Sequence, residues 1–184
     1  QILSQRSLSD SEDQLVDDAL AAGGDPREVL TELANVTVHR KDMATLCPGE
    51  WLGDEVVNLF FMILKLRAPS DVGAPKCCFM NTSFYPKLAE SASGYNFMNV
   101  ERWTRNLSVL DNDMVLVPIH CHGSHWTLAV INLLGRRFEY YNSLRGQPLR
   151  VLAHLRHWLQ DVSAHAGVLL DLSSWKDVSY NAGF

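Results

Sequence analysis

The stretch MVLVPIHCHGSHWTLAVINLLGRRFEYYN, residues 114–142, decides the fold of this chain. It contains three runs rich in β-branched and aromatic residues, at 114–119, 126–131 and 138–141. Such runs favour strands, and the short connections between them, including a turn at 134–137, are typical of hairpins. The stretch therefore predicts three consecutive antiparallel strands at the centre of a sheet.

Helical signals flank these strands on both sides. Ser11 with Gln14 fits the capping-box pattern, and Asp25-Pro26 places an N-cap acceptor before a proline at the first helical position. The elements expected outside the three strands are a helix from Ser11 that Gly23-Gly24 ends, a second helix from Asp25 to about Asn35, a short strand at Val36–Val38, a buried helix from Gly53 to Arg67 and an amphipathic helix from about Gln147 to Ala164. This order of elements predicts an α+β fold.

Length and composition fit one globular domain. The chain has 184 residues, of which 47% are hydrophobic and 20% charged, and this composition excludes disordered and collagen-like proteins. We expect residues 1–10 to be a flexible lead-in and residues 11–184 to form a single domain. The net charge of -5 disfavours a nucleic-acid binder, which usually carries a basic surface.

The same composition bears on the compartment. The apolar runs are shorter than a membrane-spanning helix requires, and the first residues do not have the pattern of a secretory signal. The four cysteines form neither a zinc ribbon nor a CxxC motif, which favours free thiols in a reducing compartment. We therefore expect a nuclear or cytoplasmic protein that acts as a monomer.

Three histidines and a cysteine lie close together in IHCHGSHW, residues 119–126. Read as metal ligands, His120 and His122 would lie on one side of an extended chain and His125 would join them after the turn at Gly123, although no spacing nominates a fourth ligand. Exposed loop histidines are a second alternative. The interpretation that we favour makes His125 a general base at the start of a strand. We expect neither a metal nor a cofactor.

Strand pairing supplies a partner for His125. If 126–132 and 137–142 pair through the connection at 133–136, the end of the second strand returns beside the start of the first. Asn142 then lies next to His125. A carboxamide oxygen can accept the proton of one imidazole nitrogen, which leaves the other nitrogen as a base. On local sequence alone, Asn142 is equally well a turn residue before Ser143.

Aromatic residues beside charges mark two further regions. Trp51 precedes the helix at 53–67, where it is either a packed residue or a lid over an extended peptide. Asp54 and Glu55 complement the dipole of that helix. The segments at 81–88 and 100–105 interleave aromatic and basic residues, for which packing beneath a charged rim is preferred over stacking on nucleic-acid bases.

Taken together, these motifs resemble the sentrin/SUMO-specific proteases of the Ulp/SENP type. The runs that carry the resemblance, in the order and approximate spacing of that family, are RKDMATLCPGEWLGDEVVN (40–58), FMNTSFYPKL (79–88), VERWTR (100–105), DMVLVPIH (113–120), HWTLAVINL (125–133) and EYYNSL (139–144). The resemblance covers roughly residues 11–175. It implies a papain-like α+β cysteine peptidase fold, with a central, mostly antiparallel sheet flanked by helices. It also implies cleavage after the Gly-Gly end of SUMO.

The resemblance further implies roles for individual residues. His125 matches the catalytic histidine, and Asn142 stands where the family usually has aspartate, so the orienting hydrogen bond is kept while a charge is lost. The positions that match substrate contacts are Trp51 and Trp126, the indoles over the di-glycine tunnel, and Asp54, Phe84, Arg102 and His120, on the SUMO surface. The histidine loop is one residue longer than in the family, and Gly53 replaces an asparagine.

The main departure from the family pattern concerns the nucleophile. In this sequence, a segment like PQQxNGxDCG, which carries the nucleophilic cysteine in the family, does not follow Trp175. Two accounts stay open. Ala182 stands where the nucleophilic cysteine belongs, or the chain stops before that segment, which the spacing from Trp175 favours. Cys121 is not expected to substitute, because a strand end offers a thiol neither a helix N-terminus nor an imidazolium partner.

The leading hypothesis is therefore a SUMO-specific thiol protease, represented here without its catalytic cysteine and inactive as written. Its expected partners are SUMO and SUMO-conjugated proteins, with no nucleic acid and no membrane. One alternative is a non-catalytic pseudoprotease that binds SUMO or another ubiquitin-like protein. Another is a NEDD8-specific protease of the same fold.

Overall fold

The computed structural model describes residues 7–21, 23–67, 73–90, 94–105, 107–121, 123, 125–144 and 149–181. The chain divides into two compact units, Gln1–Leu59 and Phe60–Phe184, which are described in turn. The expectation of a single domain over residues 11–184 stays a prediction.

The first unit begins with helix α1, Asp10–Leu20. Its N-cap is Ser9, whose side chain and that of Glu12 form a reciprocal capping box, so the predicted box of Ser11 and Gln14 was wrong by two residues. Arg40 links the C-terminal end of this helix to Glu28. Its guanidinium donates to the carbonyl oxygen of Asp18 at 2.6 Å and to the carboxylate of Glu28 at 2.8 Å.

A hairpin replaces the helix predicted from Asp25 to Asn35. Strand β1, Val29–Leu33, pairs antiparallel with strand β2, Val36–His39. The prediction was wrong because the Asp25 carboxylate accepts from the backbone N–H of Arg27 at 2.9 Å, two residues on, which closes a turn rather than capping a helix. The strand predicted at Val36–Val38 is confirmed. A short helix, α2 (Arg40–Met43), and a 3₁₀ turn at Ala44–Leu46 follow.

Helix α3, Asp54–Arg67, begins in the first unit and ends in the second, and it confirms the predicted helix. It is not buried as predicted. Phe60, Ile63 and Leu66 are 57%, 44% and 54% exposed, and none of its residues is fully buried. Apolar composition set the expectation, but burial depends on what the rest of the chain packs against the helix.

The second unit is built on a five-stranded sheet. Its strands, in both chain and spatial order, are β3 (Cys77–Phe79), β4 (Met114–Cys121), β5 (His125–Asn132), β6 (Arg137–Asn142) and β7 (Lys176–Asn181). The β4–β5 and β5–β6 pairs are antiparallel, which confirms the three predicted strands. The outer strands β3 and β7 run parallel to their neighbours. Sequence patterns predicted neither of them.

The helices described after α3 in this unit are α4 (Phe84–Leu88), α5 (Glu101–Thr104) and α6 (Leu149–His165), with 3₁₀ turns at Phe97–Asn99 and Val109–Asp111. Helix α6 confirms the amphipathic helix expected near 147–164. Leu155, Trp158 and Leu159 are fully buried in the core. Gly167, at φ +68°, ends α6 in a Schellman motif, in which its N–H donates to Ala164 O and that of Val168 donates to Ser163 O.

Arg156 of α6 anchors the segment that leads into β7. Its guanidinium donates to the carbonyl oxygens of Leu172 and Trp175, at 2.9 and 3.2 Å, and to the Asp177 carboxylate at 2.5 Å. It also lies 4.4 Å from the centre of the Phe138 ring, a cation–π contact. One side chain therefore couples the helix, the loop and the sheet.

Candidate active site

Two strand ends meet at one corner of the sheet. Strands β4 and β5 pair along their whole length, so that Cys121 and His125 are the last pair before the loop. Strand β6 pairs with β5 on its other side and ends at Asn142. The Nε2 atom of His125 lies 2.7 Å from the Oδ1 atom of Asn142. The predicted juxtaposition of these two side chains is confirmed, whereas their catalytic roles stay a prediction.

The orientation of the Asn142 amide fixes the tautomer of His125. The backbone N–H of Leu144 donates to Asn142 Oδ1 at 2.9 Å, so the atom that faces the imidazole is the oxygen. An amide oxygen only accepts, and therefore His125 Nε2 must carry the proton. The Nδ1 atom of the neutral ring is then the basic nitrogen. Asn142 is at once the partner of the histidine and a turn residue, which unites the two readings of it.

A layer of hydroxyl groups lies on the same side of the sheet. Thr127, two residues after His125, donates to the hydroxyl of Tyr140 at 2.9 Å, and Cys121 Sγ lies 3.5 Å from both hydroxyl oxygens. Burial raises the pKa of Tyr140 to about 12, so that the phenol stays neutral. Sequence reasoning missed this layer, although the period-two alternation places Thr127 with His125 and Tyr140 with Asn142.

The opposite side of the same strands carries a second pair. His120 and Trp126 are directly paired across β4 and β5, and their rings stack with centres 4.4 Å apart at an angle of 14°. His120 is exposed, so one face of this pair is open to solvent. The sheet thus holds His125 and Trp126, neighbours in the chain, on different faces.

The structure contradicts the predicted contact of Phe84 with a partner surface. Its side chain is 1% exposed and packs edge-on against Trp158, with ring centres 5.1 Å apart. A residue with no accessible surface cannot contact a docked protein in this conformation, so the assignment is corrected to the core. Phe84 and Leu88 lie four residues apart on one face of α4, and both are buried.

The other predicted substrate-contact residues are accessible. Trp51 is 64% exposed in the segment before α3, and Asp54 opens that helix within the first unit. Arg102 is exposed on α5 in the second unit. Ala182 lies outside the described residues, and the proposal that it replaces a nucleophile is therefore an expectation from sequence only.

The histidine cluster does not form a metal site in the part of the chain that the structure describes. Groups of three or more His, Cys, Asp or Glu side chains that could hold an ion are absent among those residues, and His122 lies outside them. Nor does any helix within the described ranges combine the length and the apolar character that crossing a bilayer requires.

Comparison with known proteins identifies relatives of this chain. Residues 50–179 match the Ulp1 protease family, C-terminal catalytic domain. The chain is 38% identical over 175 residues to Ubiquitin-like-specific protease 1A of Arabidopsis thaliana, covering 92% of the chain and 35% of that protein. It is 36% identical over 154 residues to a Sentrin-specific protease of Caenorhabditis elegans, covering 84% of the chain and 21% of that protein. The chain thus spans between about a fifth and a third of these relatives.

Solved structures agree with the fold. The C-terminal Ulp1 protease domain in complex with Smt3, the yeast ortholog of SUMO, superposes with a TM-score of 0.77 at 24% identity, covering 96% of this chain and 75% of that one. The Ulp1-like SUMO protease catalytic domain of Chaetomium thermophilum gives 0.73 at 26% identity, covering 93% and 69%. The α+β fold with helices flanking the sheet is therefore confirmed.

Proposed function

Because the chain belongs to the Ulp1 protease family, we propose that it is the substrate-binding and base-carrying part of a cysteine protease that cleaves after the Gly-Gly end of SUMO. The observation that carries the proposal is the contact of 2.7 Å between His125 Nε2 and Asn142 Oδ1, at the end of a hairpin whose motifs resemble that family. Maturation of SUMO precursors and release of SUMO from lysines both cleave the amide bond that follows the terminal glycine.

In this proposal His125 Nδ1 acts as the general base. It takes the proton of a cysteine thiol, whose sulfur then attacks the carbonyl carbon of the terminal glycine. The resulting imidazolium gives that proton to the departing lysine amine, and water later releases the glycine carboxylate. Asn142 holds the ring and its tautomer throughout, and being uncharged it stabilises the imidazolium less than an aspartate would.

Cys121 is a poor candidate for the nucleophile. Its sulfur lies 3.5 Å from the hydroxyls of Thr127 and Tyr140, which are not bases near neutral pH. Two possibilities for the nucleophile follow from the sequence, either a cysteine supplied outside these 184 residues or its replacement at Ala182. The second would make the protein a binding module without catalysis.

For substrate binding we propose the accessible residues that match the family, Trp51, Asp54, Arg102, His120 and Trp126, and we leave Phe84 out. The stacked pair of His120 and Trp126 supports this choice, since a rigid aromatic surface suits contact with an extended peptide. We further propose that the protein acts as a monomer in the nucleus or cytoplasm.

The decisive experiment incubates the full-length protein with SUMO that carries a C-terminal vinyl sulfone. A covalent adduct that forms with wild type and is lost in His125→Ala supports the protease. Reversible binding without an adduct supports the binding module instead. Fluorogenic SUMO and NEDD8 substrates, compared side by side, test the choice of modifier, and cleavage of NEDD8 alone would overturn the proposed specificity.

A further inference from the structure

A cavity of about 300 Å³ opens between the end of α6 and the turns around α5, all within the second unit. Its lining includes the apolar residues Phe97, Val109, Leu110 and Val162. Phe97 and His165 form one wall, with ring centres 4.8 Å apart. Open cavities with apolar lining residues are the usual form of a binding site.

This cavity lies at the opposite end of the sheet from the His125–Asn142 pair. Its lining residue Asp111 lies three residues before Met114, where the eight residues of β4 begin, whereas His125 pairs with Cys121 at the other end of that strand. Eight residues of strand span roughly 25 Å. The cavity shares no lining residue with the His125–Asn142 pair.

Charges at the rim favour a cationic group. Glu101 and Arg105 both line the cavity, and they neutralise each other through an ion pair of 2.5 Å. Asp111 is exposed at the same rim, and the ion pairs within the described part of the chain do not include it. A carboxylate without a cationic partner on the protein is therefore the dominant charge that an incoming group meets.

The surface outside the cavity is apolar as well. Val168 lines the cavity and is 45% exposed, and the next residue, Leu169, is completely exposed at 104%. The Schellman motif at Gly167 fixes the position of Val168. A volume of about 300 Å³ is at the lower limit for small-molecule sites but holds one large side chain. The exposed apolar surface of Val168 and Leu169, here called the shoulder, can then contact a peptide whose chain continues beyond the cavity.

From this geometry we propose that the cavity is a docking site for a protein segment that inserts a large apolar side chain and places a neighbouring lysine or arginine against Asp111. The site is independent of the proposed protease activity. Burial of one side chain and a rim ion pair give weak binding, as expected for a secondary anchor rather than a stable complex.

The probe is a fluorescein-labelled hexapeptide, Ser-Ser-Phe-Lys-Ser-Ser, which lacks the Gly-Gly end of the proposed substrate; its binding to the full-length protein is followed by fluorescence polarisation and verified by competition with the unlabelled peptide. Two companion peptides replace Phe by Ala or Lys by Glu. We expect the first peptide to bind at least about tenfold more tightly than the Ala peptide and about two- to fivefold more tightly than the Glu peptide. Equal binding of all three overturns the proposal.

Variants locate the binding. Ala166→Phe fills the cavity and should weaken binding at least about tenfold, whereas Ala164→Phe adds the same side chain to an exposed position of α6 outside the lining and should leave it unchanged. Val168→Lys places a charge on the exposed shoulder and should also weaken binding. This second variant tests the same site if the Ala166→Phe protein does not fold. Asp111→Asn should abolish the preference for Lys over Glu.

Two results contradict the proposal. Peptide binding that survives both Ala166→Phe and Val168→Lys would place the peptide elsewhere. A sedimentation coefficient of the wild type that falls on Val168→Lys substitution would show that this face joins two copies of the chain instead.

Discussion

Asn142 Oδ1 lies 2.7 Å from His125 Nε2 and accepts the backbone N–H of Leu144 through the same atom. The oxygen is therefore held by the backbone before it meets the ring. A neutral amide at this position gives orientation without charge.

Replacing Asn142 by Ala should release the imidazole. We expect a mixture of Nδ1–H and Nε2–H tautomers in the neutral ring, which NMR of histidine-labelled full-length protein detects through the ring nitrogens. Cleavage of fluorogenic SUMO should fall by about tenfold or more. The control Asn142→Asp keeps the acceptor and should keep the Nε2–H tautomer. An unchanged tautomer in Asn142→Ala would contradict the assigned role.

Phe84→Ala should destabilise the fold rather than change substrate recognition directly. Removal of a side chain that is 1% exposed and packs on Trp158 should lower the free energy of unfolding by about 3–5 kcal/mol. Urea unfolding measures this change. Met98→Ala, at a side chain that is 69% exposed, is the control and should stay within about 0.5 kcal/mol. A stable Phe84→Ala protein with weakened SUMO binding would restore the original contact assignment.

Arg156→Ala should loosen the segment before β7. The change removes donors from two backbone carbonyl oxygens, of Leu172 and Trp175, and should cost about 1–3 kcal/mol of unfolding free energy. Hydrogen exchange at residues 172–177 should accelerate more than exchange in the β4–β5 hairpin. Arg150→Ala, exposed on the same helix, is the matched control. Uniform acceleration across the unit would argue against a local anchor.

His154 should make the fold sensitive to acid. Burial, and to a lesser degree Arg150 and His157, lower the pKa of His154 below its usual value, while its Nδ1 atom lies 3.2 Å from the hydroxyl of Tyr85. The unfolded chain therefore binds a proton first, and stability falls as the pH drops below about 6.5. Urea unfolding at several pH values should show a shallower fall in His154→Gln, but an unaltered one in Ala153→Gln, an exposed control on α6.

Cys78 should be the least reactive thiol. Burial is the main cause that raises its pKa to about 11, Cys77 adds to the shift and Lys65 opposes it. At pH 8 only about one molecule in a thousand carries the thiolate, so iodoacetamide should modify Cys78 last. Mass spectrometry of digested full-length protein measures the order, with protein in urea as the control in which all four cysteines react. Early modification of Cys78 would show that the strand opens readily.

The centre of the fold could be predicted because its information is local. The runs that became β4, β5 and β6 are rich in β-branched and aromatic residues and are joined by short turns, so neighbouring strands pair. The outer strands β3 and β7 carry no such signal, since one has three residues and the other is almost fully exposed. Likewise, the helix signal at Asp25-Pro26 was equally compatible with the turn that precedes β1.

The same contrast applies to the site. The register of one hairpin was enough to bring Asn142 to His125, because both lie within a single local unit. The burial of Phe84 depends on Trp158, more than seventy residues away in sequence, and no local pattern reports that contact. Family resemblance placed Phe84 on the surface, and only the packing of α4 against α6 corrects it.

The parallel outer strands have a consequence for the order in which the second unit folds. Cys77 pairs with Met114 and Arg137 with Lys176, each ~40 residues along the chain, whereas the three central strands are joined by turns of a few residues. The entropic cost of closing these long loops should therefore delay the pairing of β3 and β7 until the central meander of β4, β5 and β6 has formed. In pulsed hydrogen exchange during refolding, we expect amides of 114–142 to gain protection before those of 77–79 and 176–181. Simultaneous protection would mean that the meander is not an independent nucleus.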